Sequence, residues 1–233
     1  MTGADGLGRA LAALSGEQPD VGDILAHLVA DCAASSGARA VAVLARDEPA
    51  ADLELLAASS HHAAAMEVWQ AQHGRGPCVE AMDAARVVHR TAEAEGVEEG
   101  SLGALMRDAG FRAVSAYPVA WRGVTLAGLN LFWASDEGGR AADGQEPGRV
   151  YADLVALAIA HPALTDAGAV RAQLRRSMAQ RAVVEQAKGV LAWTEGLDMG
   201  AAYARLLTLT ETSSATLGEV AAEVVRRRGA PPA

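Results

Sequence analysis

The residues best suited to chemistry lie on one predicted helix near the C-terminal end, and their types favour binding over bond making. Arg181, Glu185 and Lys188 follow one another at spacings of four and three residues, which places them on one helical face. Arg and Lys neutralise phosphate groups, which supply much of the affinity for any nucleic acid. Gln186 can donate to and accept from a base edge, and Trp193 can stack on a base. The segment therefore predicts a nucleic-acid contact.

The same residues have a structural interpretation. Glu185 stands four residues after Arg181 and three before Lys188, so it can form an ion pair with either cation on the helix surface. Residue types and spacing leave both interpretations open.

Three predicted helices must position these residues. The apolar face of the first helix consists of Val183, Ala187, Val190 and Leu191. We expect this face to pack, and the opposite face with Arg181 and Lys188 to meet water or a ligand. An apolar stripe from Met199 to Leu207 predicts a second helix, and the capping box Thr216-x-x-Glu219 begins a third. Short amphipathic helices of this kind close on one another as a bundle.

This segment resembles a known family. It is similar to the ANTAR domain, an RNA-binding output module of bacterial antitermination regulators, at Arg181, the run from Glu185 to Leu191, Ala202-Tyr203, Leu206 and Leu217-x-x-Val220-Ala221. The resemblance implies a three-helix bundle that binds paired hairpin loops in RNA. Residue chemistry and this resemblance together predict RNA contacts at Arg181, Gln186, Lys188, Gly189, Trp193 and Arg205.

The sequence departs from the family's pattern where positive charge is expected. Ala192, Trp193 and Thr194 follow Leu191 in place of Met and a basic residue, and 207–211 lack the expected basic and aromatic residues. An alternative is therefore a dimeric signalling or interaction protein whose bundle has lost RNA binding.

The preceding part of the chain mixes helical and strand patterns. Alternating apolar residues predict strands that include 38–45, 53–58, 115–121 and 125–134. Apolar stripes at helical spacing predict helices at 21–36, 63–72, 77–84, 102–110 and 150–160. These elements predict an α+β domain in which helices flank an antiparallel sheet.

This order of elements also carries a resemblance. Together with Gly76-Pro77-Cys78, Tyr117-Pro118-Val119 and the run from Leu126 to Leu131, it is similar to the GAF domains that precede ANTAR domains in actinobacterial regulators. The resemblance implies a sensory domain with a pocket for a small-molecule ligand. The side chains that could line this pocket are Trp69, Cys78, Tyr117, Trp121 and Trp133. Core packing explains these residues at least as well.

Cysteine and histidine residues give two further hypotheses. Cys78 lies just inside a predicted helix N-terminus, which stabilises a thiolate and would suit a redox sensor; a buried free thiol is the alternative. A thiol-dependent GAF-fold reductase is a further alternative function, although Cys32 and Cys78 are the only cysteines and neither is a clear resolving partner of the other. His61-His62 lacks a third ligand at a suitable spacing. No metal or cofactor is predicted.

Charge and hydropathy limit the classes of protein. The net charge of −9 argues against indiscriminate coating of nucleic acid. The charge is uneven, because 1–165 carry 11 Arg and 22 acidic residues whereas 166–233 carry 9 basic and 7 acidic residues. No apolar run of membrane-spanning length and no signal-peptide pattern is present, so we expect a cytoplasmic protein.

These expectations combine into one hypothesis: a non-enzymatic RNA-binding transcription antitermination regulator that forms a homodimer through its linker helices. The predicted parts are an N-terminal extension (1–18), a GAF sensory domain (19–163), a linker helix (164–179) and an ANTAR domain (180–233). Leu174 and Met178 lie on the Arg181 side of the long helix, so we expect a second chain or the GAF domain itself to cover them.

Overall fold

The protein is described by a computed structural model over residues 20–46, 51–139, 146, 148–160, 167–213 and 215–228, with only the backbone for 167–171, 173 and 228. The predicted extension, 1–18, lies outside the described residues. The helices are α1 (Val21–Ser36), α2 (His61–His73), α3 (Pro77–Ala84), α4 (Leu102–Asp108), α5 (Arg149–Ala160), α6 (Ala167–Glu195), α7 (Met199–Glu211) and α8 (Leu217–Arg228). The strands are β1 (Ala40–Ala45), β2 (Glu54–Ala58), β3 (Val88–Thr91), β4 (Ala113–Trp121) and β5 (Val124–Trp133).

The five strands form one antiparallel sheet in the order β2-β1-β5-β4-β3. The β4–β5 turn consists of Arg122 and Gly123, whose φ angles are 50° and 80°. Positive φ at both central residues is what a two-residue type I′ hairpin turn requires. Every residue of β1 is buried, because helices cover both faces of the sheet.

Side chains alternate between two cores, one on each face of the sheet. On one face, Val41 and Val43 of β1 pack with residues of α1 and α5. On the other face, Ala40 and Ala42 pack with residues of α2 and α4. This N-terminal domain is the α+β domain that the sequence predicts, with helices flanking an antiparallel sheet.

The last three helices form a small bundle with its own core. Its buried residues are Val184, Ala187 and Leu191 of α6, Ala202, Tyr203 and Leu206 of α7, and Leu217 and Ala221 of α8. The predicted capping box forms, since Thr216 N donates to Glu219 Oε2 at 2.9 Å and Glu219 N donates to Thr216 Oγ1 at 3.3 Å. The predicted three-helix bundle is confirmed.

Helix α6 connects the two domains. Leu174 and Met178 near its start are buried in the core of the N-terminal domain. Of the two expected partners for these residues, the N-terminal domain is therefore the one that covers them. Further along, Gln180 Nε2 donates to Asp20 Oδ2 at 3.4 Å, and Leu217 N of α8 donates to Asp23 Oδ1 at 3.3 Å. The bundle is thus docked on the N-terminal domain. Within the described residues, no helix has the length and apolar character needed to cross a membrane.

Candidate nucleic-acid interface

Helix α6 presents three faces, and the predicted RNA contacts are divided between two of them. The core face consists of Val184, Ala187 and Leu191, which pack on α7 and α8. The inner face, turned towards the N-terminal domain, consists of Leu174, Met178, Arg181, Glu185 and Lys188. The outer face, exposed throughout, consists of Arg175, Ala179, Ala182, Gln186, Gly189 and Trp193.

The outer face carries three of the predicted contacts. Gln186 and Gly189 are exposed, and Trp193 is 76% exposed at the end of the helix. A large aromatic side chain left in solvent on a helix surface is available for stacking. These three residues are free to meet a flat ligand such as an unstacked base.

Lys188 lies on the inner face and is completely buried, with 0% of its side chain exposed. Its ammonium donates to Glu185 Oε2 at 2.7 Å and lies 3.4 Å from Nδ1 of His61 on α2. Burial lowers the pKa of Lys188, and its bond to Glu185 opposes that shift. The pKa of His61 is also lowered, first by burial and then by the nearby charge of Lys188.

Arg181 is buried beside it, with 7% exposure. Its guanidinium forms an ion pair with the other carboxylate oxygen of Glu185. Both cations lie over the ring of Tyr203, at 5.6 Å for the Arg181 guanidinium carbon and 5.3 Å for the Lys188 nitrogen. Arg181 Nε is buried and has no acceptor among the described atoms. One carboxylate therefore serves two buried cations.

Tyr203 extends this cluster to the N-terminal domain. Its ring is buried in the bundle core, as expected, and its hydroxyl donates to the carbonyl oxygen of Ala58 on β2 at 2.7 Å. Burial raises the pKa of Tyr203, so the hydroxyl keeps its proton and remains a donor. This bond joins the two domains directly beside Arg181.

The expectation that the Arg181 and Lys188 face meets water is wrong, because this face is turned to α2 and β2 and both side chains are buried. Leu174, Met178, Arg181, Glu185 and Lys188 follow one another at spacings of four, three, four and three residues, which makes one continuous seam. Leu174 and Met178 at the start of this seam are apolar, and this was the signal in the sequence that the whole seam packs against another part of the protein. The role of Arg181 and Lys188 in RNA binding stays a prediction.

Arg205 is the remaining predicted contact. Its side chain is 43% exposed, and its Nε donates to Glu195 Oε2 at 3.1 Å. It is the only basic residue of α7. The second helix therefore offers one partly neutralised cation to a nucleic acid.

The five residues predicted for a ligand pocket do not come together. Trp69 belongs to the core beneath α2 and α4, and Cys78 packs against Leu44 on the same face of the sheet. Tyr117 and Trp133 are buried in the core on the opposite face, where Trp121 packs at the margin. Core packing therefore accounts for their positions, and their role in ligand binding stays a prediction.

Both cysteines are free and buried, at 0% exposure each. Burial raises the pKa of Cys32 to about 12 and the pKa of Cys78 well above its ordinary value. Cys78 is thus the buried free thiol of the two alternatives, because burial outweighs any effect of the helix N-terminus.

A buried polar cluster in the N-terminal domain was missed by the sequence analysis. Glu67 and Gln70 of α2 and Asn130 of β5 are all 0% exposed. Gln70 donates to Glu67 Oε2 at 3.1 Å and accepts from Cys78 N at 2.9 Å. Burial raises the pKa of Glu67 to about 8. The only signal was a polar pair three residues apart on the face that also carries Ala63.

Comparison with known families agrees with the C-terminal geometry. Residues 172–225 match the family model of the ANTAR domain. The chain therefore carries an ANTAR domain, as its sequence resemblance implies. The part of the chain in front of it is the antiparallel sheet with flanking helices that the sequence predicts.

Two solved structures are similar to the chain at low identity. One is the GAF domain of a phosphoenolpyruvate-protein phosphotransferase from Coxiella burnetii, with 14% identity, a TM-score of 0.45, and coverage of 78% of this chain and 98% of that one. The other is a domain of a protein described as a two-component sensor histidine kinase from Sinorhizobium meliloti, with 11% identity, a TM-score of 0.39, and coverage of 66% and 90%. No curated protein matches the chain.

Proposed function

We propose that this protein is an RNA-binding transcription antitermination regulator. Its ANTAR bundle binds hairpin loops in nascent transcripts, and its GAF domain senses a signal. The observation that carries the proposal is an ANTAR domain whose outer face exposes Gln186, Gly189 and Trp193. Proteins recognise unstacked loop bases by stacking and by hydrogen bonds to base edges. The Gln186 amide can bond to a base edge, the Trp193 ring can stack, and Gly189 has no side chain to obstruct a base. The protein makes or breaks no bond in this role.

The burial of Arg181 and Lys188 supports regulation by domain separation. In the docked arrangement these cations face α2 and β2, so an RNA backbone, which is too large for the space between the domains, reaches them only when the N-terminal domain moves off the inner face. The signal then acts by changing the fraction of open molecules, because apparent affinity scales with the population of the competent state.

The outer face also supports the homodimer. Arg175, Ala179 and Ala182 in its first half have alternating spacings of four and three residues, and the two alanines allow close approach of a second helix. Gln186, Gly189 and Trp193 in its second half remain for RNA. The proposed dimer is cytoplasmic and joins two linker helices.

The test is RNA binding by the full chain. The RNA is a two-hairpin segment from the protein's own genomic neighbourhood, compared with the same RNA after its loops are scrambled, at two salt concentrations. Trp193→Ala removes the stacking surface, and Val124→Ala, at a residue 56% exposed in the N-terminal domain, is the matched control.

We expect loop-selective binding that weakens as salt rises, because binding releases counterions from the phosphates and this release is less favourable at higher salt concentration. Trp193→Ala is expected to weaken binding by roughly 5- to 160-fold, since stacking contributes about 1–3 kcal/mol per base. Val124→Ala should bind as the parent does. Equal affinity for native and scrambled loops would contradict the proposal.

A second candidate is a dimeric interaction protein whose bundle has lost RNA binding. It is favoured by the pairing of Arg181 and Lys188 with Glu185 and by the single basic residue of α7. Absence of RNA binding by folded dimer, both in the parent and in a variant with loosened docking such as Tyr203→Phe, would support this candidate. The reductase alternative has no support in the structure, because Cys32 and Cys78 are buried with raised pKa values.

A further inference from the structure

A groove runs between α2 of the N-terminal domain and α6, and we name it the α2–α6 groove. Its volume is about 540 Å³. The wall from the N-terminal domain includes Leu55, Ala65, Val68 and Leu105, and the wall from α6 includes Met178 and Ala182. Val68 is 44% exposed although it is apolar. The space between the two domains is therefore open to solvent and mainly apolar.

The groove also has a polar end. His61, Arg181, Glu185 and Lys188 line it, so two cations and one carboxylate meet there. Both cations depend on Glu185, and Arg181 Nε has no acceptor among the described atoms. The other lining carboxylate, that of Glu54, belongs to an exposed residue of β2. The buried end of the groove thus has one more positive than negative charge.

We propose that the α2–α6 groove binds a small amphipathic anion, with its apolar body against Val68 and its anionic group beside Arg181 and Lys188. Ligand pockets of roughly 300–1,000 Å³ are mostly apolar with a few placed polar groups, and they occur preferentially between domains. An added anion stabilises the charged form of Lys188, whose pKa burial lowers. The site is separate from the interior of the GAF domain, since each of its walls comes from a different domain.

The direction of regulation follows from the position of the site and rests on the proposed function. A ligand that touches both walls binds the docked arrangement better than the separated one, so it shifts the population towards docked molecules. Docked molecules keep Arg181 and Lys188 covered. The ligand is therefore an inhibitor of RNA binding, and by linkage RNA lowers the affinity for the ligand by the same factor.

The binding test uses 8-anilinonaphthalene-1-sulfonate, a fluorescent naphthalene with one sulfonate, and N-phenyl-1-naphthylamine, its uncharged counterpart. Val68→Trp fills the groove from a partly exposed position on α2. Its control, Val124→Trp, adds the same side chain at an exposed position of the β4–β5 hairpin, outside the groove. Arg181→Gln removes the cation. Arg112→Gln, at an exposed Arg paired with Asp136, is its control. Circular dichroism verifies the fold of each variant.

We expect the sulfonate probe to bind the parent with one saturable site and at least tenfold more tightly than the uncharged probe. Val68→Trp should weaken binding of the sulfonate probe at least tenfold, and Val124→Trp should not. Arg181→Gln should remove the preference for the charged probe while Arg112→Gln keeps it. Unchanged affinity of the sulfonate probe in folded Val68→Trp would overturn the proposal.

The RNA measurement forms a separate arm. Saturating sulfonate probe should weaken RNA binding by the parent severalfold and leave Val68→Trp unaffected. Enhanced RNA binding in the presence of the probe would overturn the inhibitory direction. If RNA does not bind at all, the proposed function fails, and the two-probe comparison with Val68→Trp still decides whether the groove is a site.

Discussion

Two glutamates in the C-terminal domain each pair with two cations of their own helix, but the surroundings of these cations are opposite. Glu185 bridges Arg181 and Lys188, and Glu223 of α8 bridges Arg226 and Arg227. The carboxylates are almost equally exposed, at 40% and 42%. The cations differ, because those of Glu185 are 7% and 0% exposed whereas those of Glu223 are 71% and 80% exposed.

The difference shows that the burial of the cations decides how much an ion pair contributes to stability, since both glutamates are paired. Arg226 and Arg227 can exchange Glu223 for water at little cost, since exposed pairs contribute little to stability. Arg181 and Lys188 have no water to replace Glu185, and removal of one partner of a buried pair leaves an uncompensated charge. Glu185 therefore compensates two cations that are buried where the domains meet, whereas Glu223 pairs with two cations that water already solvates.

The largest effect is expected for a third glutamate, which lies in the N-terminal core without any cation. Burial raises the pKa of Glu67 from 4.5 to about 8. Folded molecules therefore hold a proton that unfolded ones release between these values. The stability contributed by the protonated carboxyl is fully present below pH 4.5 and is lost as pH rises through about 8. We expect the free energy of unfolding to fall by up to about 1.4 kcal/mol per pH unit within that window.

Urea unfolding at several pH values measures this slope, and Glu67→Gln is the control because its side chain does not titrate. His61 opposes the slope, since its lowered pKa makes folded molecules bind fewer protons. The quantity to compare is therefore the difference between parent and Glu67→Gln. A difference that stays constant from pH 5 to pH 8 would contradict a protonated Glu67.

The next largest effect tests the comparison directly. Glu185→Gln should lower the free energy of unfolding by about 1–3 kcal/mol, less than a fully buried pair would lose because the carboxylate is 40% exposed. Glu223→Gln, the matched change at the exposed pair, should have no measurable effect. Urea unfolding at one pH compares the two variants. Equal losses in both would show that cation burial does not decide the outcome.

The third prediction concerns access to Lys188, the only lysine of the chain. Acetylation of its side-chain amine, followed by mass spectrometry of the peptide that carries it, should be about tenfold slower in the folded parent than in the parent unfolded in urea, because the reagent reacts only with opened molecules. The lowered pKa of Lys188 leaves more of its amine unprotonated, so slow reaction reports burial and not protonation. Labelling of the parent as fast as in urea would contradict the docked arrangement.

Sequence patterns predicted the elements well and their contacts less well. The bundle, its capping box and the sheet hairpins follow from local spacing, which the folded chain preserves. Lys188 was predicted to face water or a ligand because it lies opposite the apolar face of its helix. Its burial depends on His61, Tyr203 and Glu185 together, and His61 is distant in sequence. Trp69 and Tyr117 were grouped by residue type, but the two faces of the sheet separate them.

The smallest expected effect isolates one hydrogen bond of the docked arrangement. Tyr203→Phe keeps the ring under both cations and removes the hydroxyl that donates to Ala58 O at 2.7 Å. The loss of about 0.5–1.5 kcal/mol from docking should raise the open fraction roughly 2- to 12-fold. Lys188 acetylation and apparent RNA affinity should increase by the same factor, because both depend on that fraction.

Tyr151→Phe is the matched control. Tyr151 donates to Asp31 Oδ2 at the same distance of 2.7 Å, but this bond lies within the N-terminal domain. Its loss should destabilise that domain by a similar amount without changing access to Lys188. If the two variants label Lys188 at the same rate, the Tyr203 bond does not hold the domains together. Faster labelling in Tyr203→Phe alone identifies the inner face of α6 as the surface that opens, since a general loosening of the fold would accelerate both.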